Sequence, residues 1–201
     1  MARDWTVLFI GGPAAVGKTS AAKRISVITG ATLLQADDVW LALQRAIDPS
    51  VQPALHAFAD RAVWRDPVDE LLRRKRAIAD IVSASLEFVV AHHLETDDRI
   101  VVEGVWITPE FAARAMYAGS SGGAGRRRAV FVLEDEATRI RDAMVDRGRG
   151  FQEWDPKDRA AMAAMQARYS RWLRAEANAR SLPIVAARPL GHLAERILAV
   201  I

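Results

Sequence analysis

The stretch Phe9-Ile10-Gly11-Gly12-Pro13-Ala14-Ala15-Val16-Gly17-Lys18-Thr19-Ser20 decides the reading of this chain. Within it, Gly12 to Thr19 meets the pattern G-x-x-x-x-G-K-[ST] at every fixed position. Upstream, Trp5 to Ile10 is a short run of β-branched and aromatic residues, which predicts a buried parallel strand. Downstream, Ala21, Ala22, Ile25 and Ile28 recur at helical spacing until Gly30, which predicts a helix with a glycine stop. Strand, glycine-rich turn and helix in that order build a phosphate cradle. The glycines let successive backbone N–H groups turn inward, and the helix N-terminus adds partial positive charge. Lys18 is expected to reach the terminal phosphates of a nucleotide, and Thr19 to offer its hydroxyl to Mg²⁺. Gly12, Pro13, Ala14, Ala15, Val16, Gly17 and Ser20 complete the loop around those phosphates.

Working outward, Ala31 to Gln35 reads as a second strand, with Asp37-Asp38 in the N-cap position of a helix running to about Ile47. Pro49 and Pro53 break the chain before a helical stretch near Leu55 to Val63. Asp66-Pro67 then opens a long helix whose apolar face includes Leu71, Ile78, Val82, Leu86 and Val89. Arg99 to Glu103 is a third strand, Thr108-Pro109-Glu110 opens a helix, and Ala118 to Gly125 is a loop. Ala129 to Leu133 is a fourth strand, followed by a helix over Asp135 to Asp146 and the break Arg147-Gly148-Arg149-Gly150. Asp155-Pro156 caps a helix to about Arg180, Pro183 to Ala187 is a fifth strand, and Pro189 starts a C-terminal helix. Strands separated by helices, with no hairpin signal between any two, imply crossovers and a parallel sheet. The predicted fold is a single three-layer α/β domain of 201 residues, with ligands outside the carboxyl ends of the strands.

Those strand ends carry the candidate chemistry. Asp37 follows the second strand and can take the proton of an acceptor hydroxyl, a role that Asp38 beside it could also fill. Either aspartate also suits a helix N-terminus. Glu103 ends the third strand, where a carboxylate would help hold Mg²⁺ or the acceptor, and Gly104 leaves room for a ligand beside it. Arg147 and Arg149, interleaved with glycines, suggest a lid over residues 146–155 whose guanidinium groups close on a transferring phosphoryl group and exclude water. Trp40, Trp64 and Trp106 fall after the second strand, within the helical insertion 41–95 and after the third strand, which suggests an aromatic acceptor pocket. Trp5 and Trp172 read as packing, His92 and His93 as bland, and Arg73-Arg74-Lys75-Arg76 most simply as a solvated helix face, though it could help bind an anionic acceptor.

Composition narrows the class. With 51% hydrophobic and 26% charged residues the chain is globular, and with no cysteine it has neither disulfides, thiolate metal sites nor a cysteine nucleophile. The sequence pI of 9.7 reflects arginine enrichment, but the arginines are scattered and form no nucleic-acid stripe. The first apolar run is too short for a signal core or a membrane span, so a cytoplasmic location without membrane attachment is expected.

These motifs resemble the nucleoside-monophosphate-kinase-like group of P-loop kinases, which includes adenylate, shikimate and gluconate kinases and chloramphenicol phosphotransferase. The resemblance rests on Gly12 to Thr19, the pair Asp37-Asp38, the helical insertion and the segment Arg147-Gly148-Arg149, and spans nearly the whole chain. Val101 to Pro109 is also similar to a strand-3 segment of 2-phosphoglycerate-kinase-like proteins. The resemblance implies a sheet of order 2-3-1-4-5, ATP with Mg²⁺, acceptor binding by residues 41–95, and an adenine slot formed partly by Ala187-Arg188-Pro189. The leading expectation is transfer of the γ-phosphoryl group of ATP to a hydroxyl of a small molecule, by a monomer or a homodimer. A nucleotide or nucleoside kinase and a P-loop ATPase or regulator acting on a protein or nucleic acid are the alternatives.

Overall fold

Five apolar segments form one parallel sheet in the computed structural model, which describes residues 4–119 and 125–201. They are β1 (Val7–Gly11), β2 (Thr32–Gln35), β3 (Ile100–Gly104), β4 (Arg127–Leu133) and β5 (Ile184–Ala186). The order is β2-β3-β1-β4-β5, as the resemblance implied, and every neighbouring pair is parallel. Helices supply the crossovers that parallel pairing demands. They are α1 (Lys18–Thr29), α2 (Ala36–Ala46), α3 (Val68–Thr96), the short α4 (Pro109–Ala112), α5 (Ala137–Asp146), α6 (Pro156–Ala179) and α7 (Leu193–Val200). Residues 120–124 of the loop expected over 118–125 lie outside the described residues.

Alternation along each strand sends side chains to opposite faces, and both faces are covered. Val7 and Phe9 join Ile78, Val82, Leu86, Tyr169 and Leu173 in a core with α3 and α6. Leu8 and Ile10 join Ala21, Ile25, Leu193 and Ile197 in a second core with α1 and α7. Burial on both sides explains why β1 reads as a continuous apolar run. It also accounts for α3, which by length and composition is the one helix among the described residues able to cross a membrane, but whose Ile78, Val82, Leu86 and Val90 pack fully inside.

Strand register levels the site. Ile10 stands opposite Glu103, Gly11 opposite Gly104 and Gln35 opposite Glu103, so β1, β2 and β3 end at one height. The chain leaves β1 toward β2 on one side and crosses to β4 on the other, which places a switch-point crevice at the carboxyl end of β1.

The local expectations need four corrections. The helix expected near Leu55 to Val63 is two 3-10 turns, Pro53–His56 and Arg61–Arg65, because the Asp60 side chain caps Ala62 N and starts a new turn. Pro67, not Asp66, sits at the N-cap of α3, and Asp66 accepts from Arg74 Nη2 at 2.7 Å. Neither Asp37 nor Asp38 caps α2; Gln35 holds that position and both aspartates lie in the first turn. Ile28 shares the spacing of the buried face of α1 yet is exposed in its last turn.

Candidate active site

Local backbone geometry forms the cradle. Gly12 has φ 146°, and a Cβ there would lie 2.1 Å from the Val132 carbonyl oxygen, so the loop runs against β4 where only glycine fits. Gly17 takes the left-handed region at φ 84° and starts α1. Lys18 Nζ curls back to donate to the Pro13 carbonyl at 2.6 Å, Thr19 Oγ1 donates to Glu103 Oε1 at 2.7 Å, and Ala14 N donates to Gln166 Oε1 of α6 at 3.1 Å. The loop is thereby tied to β3 and α6 before any ligand arrives.

A cavity of about 450 Å³ opens over this loop, lined by residues 14–20 and by Asp37, Glu103, Arg147, Arg149 and Arg188. A smaller one, about 250 Å³, shares Ala14, Asp37, Arg147 and Arg149 with it and is walled by Met144, Phe151, Trp154 and Met162. Asp37 therefore stands in the wall between a phosphate cradle and a largely apolar compartment.

Charge and burial bind these residues into one electrostatic set. Burial lowers the Lys18 ammonium below its ordinary pKa, opposed by Glu103 and then Asp37 and reinforced by Arg147. The Glu103 carboxyl, 3% exposed, is pushed up by burial, opposed by Lys18 and by the Thr19 hydrogen bond, with Asp37 adding to the rise. Burial also lowers Arg147, and Arg149 beside it does the same, while Asp37 and Glu103 oppose. A phosphate would relieve the crowding of Lys18, Arg147 and Arg149. The donor set suits Mg²⁺ as well: no group of three or more His, Cys, Asp or Glu converges among the described residues, and Mg²⁺ takes one or two protein oxygens and completes its shell from phosphates and water. The Thr19 hydroxyl and the Glu103 carboxylate, 2.7 Å apart, could supply two such oxygens.

Not every expected residue reaches the site. Asp38 is exposed, accepts from Gln35 Nε2 at 3.5 Å and lines neither cavity. Trp40 donates from its indole nitrogen to the Leu55 carbonyl at 3.2 Å, with its ring 5.2 Å from that of Trp106. Trp64 is buried, stacked on Phe58 at 5.1 Å, and Trp106 is buried beneath Lys75. None of these three tryptophans lines either cavity, whereas Phe151 and Trp154 line the smaller one. Arg188 reaches the larger cavity, with Glu134 3.8 Å away.

Sequence reasoning missed Phe151, Trp154 and Gln166, and reached Lys75 only as one member of a basic run. Trp154 lies inside the segment expected to be a lid, and an aromatic beside hinge glycines was a usable signal. Gln166 had none, since it is one polar residue on a long helix.

The chain has the fold of the P-loop small-molecule kinases, and three solved structures show it. It is similar to the shikimate kinase of Acinetobacter baumannii in complex with shikimate, with a TM-score of 0.51 and 13% identity over 96% of this chain and 91% of that one. A protein of Chloroflexus aurantiacus J-10-fl described as a candidate kinase gives 0.56 and 11%, over 99% and 100%. A gluconokinase of Sinorhizobium meliloti 1021 gives 0.50 and 16%, over 98% and 90%. No family model and no curated protein matches the chain.

Proposed function

We propose that the chain is an ATP-dependent phosphotransferase that moves the γ-phosphoryl group to a hydroxyl of a small molecule. The observation that carries this reading is the position of Asp37 in the wall shared by the two cavities, within the field of Lys18, Glu103 and Arg147. The backbone of residues 14–19 receives the phosphates, with Lys18 over their terminal oxygens and Arg188 toward the base. Bound Mg²⁺, held by Thr19 and Glu103, would neutralise charge on the phosphate oxygens.

Asp37 accepts a hydrogen bond from the acceptor hydroxyl, orients it in line and takes its proton late. The acceptor oxygen bonds to the γ-phosphorus, the bond from that phosphorus to the bridging β,γ oxygen breaks, and ADP leaves with the electron pair. Arg147 and Arg149 stabilise the transferring group, and residues 146–155 close as a lid that brings Phe151 and Trp154 over the acceptor and keeps water out. Residues 41–95 supply the outer wall of the acceptor side. The names of two structural neighbours carry shikimate and gluconate, both small molecules with hydroxyl groups, which supports an acceptor of that size. The test is ADP release with Mg-ATP and a panel of hydroxylated metabolites, read together with the phosphorylated product. An acceptor-dependent rise with product is expected; ADP and free phosphate alone, whatever the acceptor, would leave an ATPase.

A further inference from the structure

The basic run Arg73 to Arg76 on α3 is not one solvated face. Arg73 and Arg74 pair with Glu70, Arg74 also with Asp66, and the Arg76 guanidinium lies 4.6 Å from the Trp172 ring centroid. Lys75 alone turns inward. It is 2% exposed, with Nζ 4.3 Å from the centroid of the Trp106 ring and 4.7 Å from that of Tyr169. Among the described residues its ammonium has no hydrogen-bond acceptor and no carboxylate within ion-pair distance. The Tyr169 hydroxyl is committed to the Val105 carbonyl at 2.8 Å. Two ring faces offset only part of the cost of stripping water from an ammonium, which is ordinarily paired when buried. The indole nitrogen of Trp106, the same ring, is buried without an acceptor.

The position of this cation matters as much as its isolation. Trp106 leaves β3 three residues after Glu103, and Tyr169 follows Gln166, the residue that holds Ala14 of the phosphate loop. Lys75 lies within the field of Asp37 and of Lys18. It lines neither cavity in this conformation, but its four-carbon stem can swing the ammonium off the rings toward Asp37.

We propose that Lys75 anchors an anionic group of the acceptor, a carboxylate or a phosphate, so that the substrate is an anionic hydroxyl compound and not a neutral polyol. This rests on the kinase reading and narrows it. Burial brings the lysine down to about 7, with Asp37 opposing and Lys18 adding to the fall, and an arriving anion restores the charged form. The anchor also sets direction: an acceptor held at one end by Lys75 presents its hydroxyl to Asp37.

Thermal unfolding is to be measured with Mg-ATP, with hydroxy acids (gluconate, shikimate, glycerate), with sugar phosphates (glucose 6-phosphate) and with neutral polyols (glycerol, inositol). In the wild type at least one anionic compound, at about a hundredfold over its Kd, should raise Tm by on the order of 5 °C, while polyols leave it unchanged. Whether the hydroxy acids or the sugar phosphates act separates carboxylate from phosphate. Lys75→Met should lose this rise and Lys75→Arg retain part of it. Lys18→Ala should keep the rise, because the anion is not in the phosphate cradle. The proposal is overturned if Lys75→Met keeps the anionic rise, which would leave Lys75 as a counter-ion of Asp37, if Lys18→Ala abolishes it, or if no anionic compound acts. A wild type that fails to respond to Mg-ATP overturns the kinase reading itself, whereas a response to Mg-ATP without one to anions overturns only this proposal.

Discussion

Two lysines are buried in the functional half of this molecule, and their surroundings differ. Lys18, 5% exposed, has the Pro13 carbonyl at 2.6 Å and the fields of Glu103 and Asp37. Lys75 has the faces of Trp106 and Tyr169 and no acceptor among the described residues. The first belongs to a cradle built from consecutive residues and held in place before ligand binding. The second belongs to a wall assembled from α3, the exit of β3 and α6. A prebuilt cradle suits a phosphate chain common to many enzymes, and an assembled wall suits the part of the reaction that differs between them.

The largest expected effect is on the cradle. Lys18→Ala removes the cation aimed at the phosphates, and Mg-ATP turnover should fall by on the order of 10³. The variant should stay folded, because the change also removes a buried ammonium; near-wild-type turnover by folded protein would remove the cradle assignment. On the boundary between the regions, Asp37→Asn keeps shape and removes charge. Acceptor phosphorylation should drop about a hundredfold with the Kd of Mg-ATP nearly unchanged. Loss in Asp38→Asn instead would move the base to that neighbour, and loss in neither would turn attention to Glu103.

Arg147→Ala should act next in size, lowering kcat about tenfold and affecting Mg-ATP binding less, since a lid contact is made mainly in the transition state. A structure with ATP analogue and acceptor that shows Arg147 and Arg149 both in solvent would contradict this. The smallest effect concerns the wall without ligand. Lys75 titrates near 7 in the folded chain against 10.5 for an ordinary lysine, so between those values the unfolded chain binds more protons. Stability should therefore rise with pH across that window, with the burial penalty complete below it. Chemical denaturation at several pH values should show a shallower rise in Lys75→Met, and identical slopes would show that Lys75 contributes nothing to the profile.

Much of the cradle was legible because its determinants are local. A left-handed φ at Gly17 and the helix that begins at Lys18 follow from neighbours in the chain. The parallel pairing followed from crossover logic, since parallel strands with both faces covered read as continuous apolar runs, and the sheet order came from the family resemblance alone. The placement of the tryptophans was not legible, for the opposite reason. Trp40, Trp64 and Trp106 sit near the right strand ends in sequence, yet the contacts that hold them come from Leu55, Phe58 and Lys75, residues 15, 6 and 31 positions away.

By itself the sequence determined the phosphate cradle, the parallel α/β class and the carboxylates and arginines available to the site, because periodicity and glycine stereochemistry act over a few residues. Only the tertiary structure decided that Asp37 and not Asp38 lines the cradle cavity, that Phe151 and Trp154 line the smaller cavity while Trp40, Trp64 and Trp106 line neither, and that one lysine of a basic run points inward. Each of those outcomes depends on which distant surface covers a side chain. That is a property of packed helices and sheet, and no spacing along the chain encodes it alone.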